Sequence, residues 1–135
     1  MPASGAQVGY GLTCSVGGTA VEELISVSTP GFKLEAVDVT HMASDNTYRE
    51  FIAGLCDGGE ITLECNYRPK ATGQALITSN LHARTAVALV IVLPGALGTW
   101  TCSTCLVTGW SAKAAPGDKI TGTATFKVSG KPVLS

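Results

Sequence analysis

Two stretches of the chain, residues 60–67 and 120–128, alternate between apolar and polar side chains. Successive side chains of a β-strand point to opposite faces, so this period predicts strands with one face on a core and the other toward water or a partner. The segment Asp57-Gly58-Gly59 predicts a turn before the first stretch, because glycine adopts positive φ at little cost. The polar positions are Glu60, Thr62, Glu64 and Asn66 in the first stretch and Thr121, Thr123, Thr125 and Lys127 in the second.

The remaining elements follow from shorter patterns. Residues 72–84 predict a helix, because Leu76, Ile77 and Leu81 recur at helical spacing and Thr72 can act as the N-cap. The fold class is therefore mainly β, an antiparallel β-sandwich or barrel-like domain with one flanking α-helix and a long inter-strand loop. Apolar runs predict further strands at residues 20–28, 34–39, 87–93 and 99–111.

The domain organisation is simple. A chain of 135 residues fits one domain, residues 1–135, and has no repeat or linker. We expect residues 1–12 and 131–135 to be flexible before any assembly.

The long inter-strand loop spans residues 40–56. It is too long for a hairpin turn, and loops of more than about 12–15 residues are usually functional or disordered. Phe51, Ile52 and Leu55 lie at its far end and argue against disorder, since exposed apolar side chains need a cover. We therefore predict a contact loop.

Composition limits the function classes. Charged residues make up only 14% of the chain, where about 25% is typical, so the surface is poorly protected against association between copies. The net charge of −1 and the absence of a basic cluster argue against sequence-specific nucleic-acid binding. Residues 1–11 lack the features of a secretory signal, and the apolar run at residues 86–97 is too short for a membrane helix. We expect synthesis in a cytoplasm and no membrane partner.

Five cysteines raise the alternative of a small zinc-binding module. Cys102 and Cys105 have CxxC spacing, but residues three apart on a strand point to opposite sides, and no second CxxC is present. The odd number of cysteines also argues against a disulfide framework. We predict small buried or half-buried thiols and no metal or other cofactor.

An enzyme is not indicated. His41 and His82 lie in no recognisable catalytic motif. Glu60 and Glu64 would stand about 13 Å apart along one strand, which exceeds the separation of a glycosidase pair. No catalytic residue is predicted.

The order of motifs resembles the major tail tube protein of long-tailed, non-contractile bacteriophages. The pieces that carry the resemblance are Asp38-Val39-Thr40, Phe51-Ile52-Ala53-Gly54-Leu55, Asp57-Gly58-Gly59-Glu60 and Ser129-Gly130-Lys131-Pro132. The resemblance implies a structural virion protein that forms stacked rings of six copies, assembled in the host cytoplasm into a hollow tail through which double-stranded DNA passes. It also implies partners, namely further copies of the chain, a tape-measure protein, a tail-tip initiator and a tail terminator.

Within that family the predicted loop would reach the adjacent ring. The residues expected there are Thr40, His41, Asp45, Arg49, Glu50, Phe51, Ile52 and Leu55. Strand alternation gives candidates for the lumen, and these are Glu60, Thr62, Glu64, Thr123 and Thr125. A tube component of a contractile-type bacterial secretion system would form stacked rings through the same kind of contacts, and it stays an alternative.

Overall fold

The computed structural model describes residues 9–95 and 97–135. The predicted flexibility of residues 1–8 lies outside this part of the chain. Within it the fold has ten strands, one α-helix and one short 3-10 turn at Asp45–Thr47. The elements are β1 Thr13–Val16, β2 Thr19–Ala20, β3 Leu24–Val27, β4 Lys33–Asp38, β5 Phe51–Asp57, β6 Glu60–Asn66, α1 Thr72–Ala83, β7 Val87–Val92, β8 Thr99–Lys113, β9 Thr121–Ser129 and β10 Val133–Leu134.

Eight strands form one antiparallel sheet in the order β2-β1-β7-β8-β9-β6-β3, with β10 added to β8. The sheet curls so that its two ends approach each other, and β1 contacts β3. The Val21 N–H donates to the Cys14 carbonyl at 2.9 Å and extends the β1–β2 hairpin by one pair. The predicted antiparallel, barrel-like class is therefore confirmed.

The core lies inside the curl and follows the predicted alternation. Ile61, Leu63 and Cys65 of β6 are fully buried beside Ala124 and Phe126 of β9. The intervening polar residues face outward, as the period of two requires. The predictions for these two strands are confirmed.

Helix α1 closes one side of the barrel at the predicted position, with Ile77 buried on β8. The predicted cap was wrong, because the N-cap is Ala71 and no side chain at that position caps the helix. Instead the Glu22 carboxylate accepts from the Gly73 and Gln74 N–H groups at 3.0 and 3.3 Å. Burial works against ionisation of Glu22, but these hydrogen bonds and Arg68 prevail and lower its pKa.

Gln74 joins the helix to the barrel and is fully buried. Its Oε1 accepts from the Arg68 N–H at 2.7 Å, and its Nε2 donates to the Asn66 and Glu22 carbonyls at 2.9 and 3.1 Å. These bonds explain why a polar side chain is tolerated in the core.

We expect Gln74→Met to lower the free energy of unfolding by about 3 kcal/mol, since it leaves three backbone groups without partners. Urea unfolding followed by far-ultraviolet circular dichroism measures the loss. Ser79→Ala, an exposed change on the same helix, should stay within about 0.5 kcal/mol of the wild type. Equal stability of the two variants would contradict this role of Gln74.

The strand predicted at residues 20–28 is divided into β2 and β3, so that prediction was wrong. The chain turns between them, with Glu23 at φ 52°. The turn carries Glu22 to the start of α1, and Asn66 donates its N–H to the Glu23 carbonyl at 3.0 Å. Contacts of Glu22 and Glu23 with distant residues thus interrupt the segment 20–28, although its residues favour a strand.

The predicted long inter-strand loop is present at residues 39–50, but its predicted bounds of 40–56 were wrong, because residues 51–57 form strand β5. β5 pairs with β4 as a separate two-stranded antiparallel sheet, from Lys33↔Asp57 to Asp38↔Phe51. Phe51, Ile52 and Leu55 therefore lie on a strand, and the connection is confined to residues 39–50. β4, β5 and this connection are called the hairpin arm below.

Candidate assembly surfaces

The hairpin arm exposes both of its faces. Every residue of β4 is exposed, and so is every residue of β5 except the half-buried Gly54. An isolated two-stranded hairpin is marginally stable at best, because it has no core of its own. The arm therefore presents two apolar faces that require a cover. Its exposed large apolar side chains are Leu34, Val37, Val39, Met42, Tyr48, Phe51, Ile52 and Leu55.

The connection at the tip of the arm is held by its own polar groups. The Glu50 N–H donates to Thr40 Oγ1 at 2.8 Å, and Ser44 Oγ donates to the Glu50 carboxylate. His41 Nε2 lies 3.4 Å from the same carboxylate. The tip is thus held by internal hydrogen bonds, and it brings Thr40, His41 and Glu50 together; their contact with an adjacent ring stays a prediction.

Arg49 and Asp45 take different places on the arm. Arg49 Nη1 lies 3.4 Å from Asp38 Oδ2 across the hairpin. Hydrogen bonds from the Thr40 hydroxyl and N–H lower the pKa of Asp38. Asp45 begins the 3-10 turn and is exposed, and it makes no ion pair with any residue that the structure describes.

The base of the arm is joined to the barrel through the Asp57-Gly58-Gly59 turn. Lys127 Nζ of β9 lies 2.9 Å from Asp57 Oδ1, and the Gly59 N–H donates to the same oxygen at 2.8 Å. These two donors hold the pKa of Asp57 below its ordinary value. A Cβ on Gly59 would overlap the Gly31 carbonyl oxygen, so the turn packs against Gly31 with no room for a side chain.

An apolar groove runs beside this base, between the arm and the C-terminal strand. Its volume is about 1310 Å³. The Phe32 and Trp100 rings meet there with centroids 5.4 Å apart, and Leu34, Leu55 and Leu134 complete the apolar lining. The sequence pattern gave no sign of this groove, since its walls come from four separated segments.

The five residues predicted for the lumen lie together on the outer face of the barrel. The β6–β9 register pairs Thr62 with Thr125 and Glu64 with Thr123. Glu60 pairs with Lys127, a cation that the sequence-based set omitted. Because Lys127 also binds Asp57, its charge is already compensated. This face, called the β6–β9 face below, therefore presents hydroxyl groups and carboxylates.

The cysteines are mostly core residues, as predicted, but the prediction that Cys102 and Cys105 point to opposite sides of their strand was wrong. Both are buried on the same side of β8, because the register slips between Leu89 and Val87 and two residues bulge outward. Burial raises the pKa of Cys105 and of the neighbouring Cys14 to about 12. These thiols are protonated and unreactive at neutral pH. Cys65 is likewise buried, whereas Cys56 is exposed on the arm.

The other candidate groups are not brought together. His41 lies at the tip of the arm and His82 in the last turn of α1. Across residues 9–95 and 97–135, no group of three or more His, Cys, Asp or Glu side chains could hold a metal ion. No helix in the same ranges has the length and apolar character needed to cross a membrane.

Comparison with known proteins assigns this barrel and arm to a family. Residues 17–135 match the family model described as "Lambda phage tail tube protein, TTP". The chain belongs to the lambda phage tail tube protein family. The family match favours a tail tube protein over the secretion-system alternative. No curated protein sequence matches the chain.

Solved structures of tubes share the fold of this tail tube protein. A chain of the native gene transfer agent virion aligns with TM-score 0.81 and 16% identity, over 96% of this chain and 99% of that one. A chain of the empty particle's tail, refined with helical C6 symmetry, aligns at 0.80 and 17%, over 96% and 99%. A chain of the structure described as an extracellular contractile injection system, "PVC sheath/tube terminator in extended state", gives 0.80 and 15%, over 99% of both chains. Chains of gene transfer agent particles and of a contractile injection system thus share this fold.

Proposed function

We propose that this tail tube protein polymerises as stacked rings of six copies into the hollow tail tube of a virion. The observation that carries the proposal is the hairpin arm, a two-stranded sheet whose apolar residues are exposed on both faces. Neighbouring copies supply the cover that the arm lacks. The C6 symmetry of the structurally similar gene transfer agent tail supports the number six.

The arm makes the contact between rings. Phe51, Ile52 and Leu55 are its apolar anchors, and the ordered tip contributes Thr40, His41 and Glu50. Asp45 and Arg49 act at the rim of this contact, where charge sets partner choice and orientation more than affinity. Lateral joining of subunits brings their sheets into one continuous inner barrel and removes the edges that β2 and β3 leave.

The β6–β9 face lines the lumen. Its exposed groups are hydroxyls and carboxylates, and its one lysine is already paired with Asp57. Such a surface does not neutralise phosphates, so double-stranded DNA slides through without being held. Glu60, Thr62, Glu64, Thr123 and Thr125 carry this property.

The tube requires partners that set its length and ends. From membership of this family we infer that these partners are a tape-measure protein, a tail-tip initiator and a tail terminator, and that the tube assembles with them in the host cytoplasm. A tube terminator and a terminating cap occur in structurally similar injection systems.

Negative-stain electron microscopy of the purified protein at high concentration tests the proposal, together with its mass in dilute solution. We expect hollow tubes or stacked rings with sixfold rotational averages and a lumen wide enough for duplex DNA. A chain that stays monomeric both alone and when co-expressed with its neighbouring tail genes would overturn it.

A further inference from the structure

The hairpin arm carries an excess of negative charge. Between Lys33 and Asp57 there are five carboxylates against two cations, a net charge of −3 with His41 neutral. Glu35 and Asp45 make no ion pair with any residue in the described ranges. The carboxylates are Glu35, Asp38, Asp45, Glu50 and Asp57, and the cations are Lys33 and Arg49.

The opposite end of the barrel has the complementary character. Asn66 of β6 and Lys113 of β8 both pair with Thr121 of β9, so β6 and β8 end and β9 begins at one pole. All of residues 111–120 are exposed there, and they include the apolar Ala114, Ala115, Pro116 and Ile120. This end, residues 68–71 and 113–120, is called the basic pole.

Three lysines surround that apolar centre. Lys70, Lys113 and Lys119 are exposed, and none makes an ion pair in the part of the chain that the structure describes. Nearby carboxylates are engaged elsewhere, since Glu23 binds Arg68 and Glu22 binds the start of α1. Asp118 is the remaining carboxylate of the pole, so lysine predominates.

The two surfaces lie at opposite ends of the molecule. The arm enters the barrel at the start of β6, where Glu60 pairs with Lys127, and the basic pole lies past the end of the same strand. Strand β6 runs from Glu60 to Asn66, which separates the ends by about 20 Å at the usual rise per residue. The carboxylates of the arm therefore cannot pair with the lysines of the basic pole of the same copy.

We infer that the basic pole is the receiving surface for the hairpin arm of a second copy in the next ring. Carboxylates of the arm meet Lys70, Lys113 and Lys119, while apolar residues of the arm cover Ala115, Pro116 and Ile120. The contact is head to tail, so each copy offers an arm at one end and a pole at the other, and stacking continues without limit. This inference rests on the proposed tube.

Reversal of charge tests the pairing. The reversed pole is Lys113→Glu/Lys119→Glu, and the reversed arm is Glu35→Lys/Asp45→Lys. Each should raise the concentration needed for tube growth by about tenfold or more, since like charges then face each other across the interface. A chain with all four changes has opposite charges again and should regain tube growth. Sedimentation and electron microscopy measure it, and circular dichroism establishes that each variant is folded.

A matched control alters the same net charge away from the pole. Arg84→Glu replaces an exposed cation after α1 and should polymerise like the wild type, whereas the single change Lys119→Glu, which alters the net charge equally, should weaken tube growth. The reversed pole should still form single rings. The inference would be overturned if the reversed pole grew tubes like the wild type or lost its rings. It would also be overturned if the control were equally defective, or if the variant with all four changes did not recover tube growth. A wild-type chain that forms no tubes would instead count against the proposed function.

Discussion

Replacing Leu55 by aspartate is expected to abolish tube growth while the monomer stays folded. Leu55 lies on β5 of the hairpin arm with 82% of its surface exposed, so the monomer loses no core contact. In the tube the new carboxylate would be buried in an apolar contact without a partner, which costs several kcal/mol even before it is repeated around a ring. Electron microscopy of Leu55→Asp at concentrations where the wild type polymerises gives the result.

Leu55→Met is the matched control for this change, since it preserves volume and apolar character. It should form tubes at nearly the wild-type concentration. Thermal unfolding of both variants should match that of the wild type, which separates a failure to assemble from a failure to fold. Normal tubes from Leu55→Asp would remove the arm from the inter-ring contact.

The second large effect concerns the turn at the base of the arm. Gly59→Ala should lower the free energy of unfolding by about 3 kcal/mol or more, since strain and a steric clash add together. Gly59 has φ +76°, and its new Cβ would overlap the Gly31 carbonyl oxygen, which must move. Urea unfolding of the purified variants measures the loss.

Gly130→Ala separates the two causes, because Gly130 has φ +85° but a Cβ added to it would have no atom within 4 Å. That variant carries only the backbone penalty, about 1 kcal/mol. Similar losses in both variants would mean that the packing against Gly31 contributes little. A larger loss for Gly59→Ala, accompanied by weaker tube growth, would tie the attachment of the arm to assembly.

The parts of the fold that the sequence predicted have one face on the core. Along β6 and β9 each buried residue alternates with an outward one, from Ile61 to Cys65 and from Gly122 to Val128, so side-chain chemistry alone indicated which residues face the core. Helix α1 was predicted for the same reason, since Ile77 lies on its buried face. The polar residues of these strands were therefore correctly grouped on one face.

Strand β5 was missed because neither of its faces is buried by its own chain. Phe51, Ile52 and Leu55 are all exposed, and no core imposes a period of two on that segment. Its pairing with β4 depends on backbone hydrogen bonds, which leave no mark in the residue types. A strand that is covered only by a partner subunit therefore gives the weakest sequence signal.

The remaining errors have distant causes. The carboxylate that accepts from the first N–H groups of α1 belongs to Glu22, far from the helix in sequence, and the turn at Glu23 between β2 and β3 places it there. The bulge in β8 turns Cys102 and Cys105 to one side, and it arises from the register against β7. Both features depend on contacts between residues far apart in the chain, so local sequence patterns do not predict them.

The distribution of the thiols makes the arm observable during assembly. Cys56 is exposed on β5, while Cys14, Cys65, Cys102 and Cys105 are buried, and burial raises the pKa of each of these four. A maleimide dye reacts with accessible thiolates, so it should attach to Cys56 alone in the folded monomer. The natural chain therefore accepts a single fluorophore beside Leu55, and its emission can follow the growth of tubes in real time.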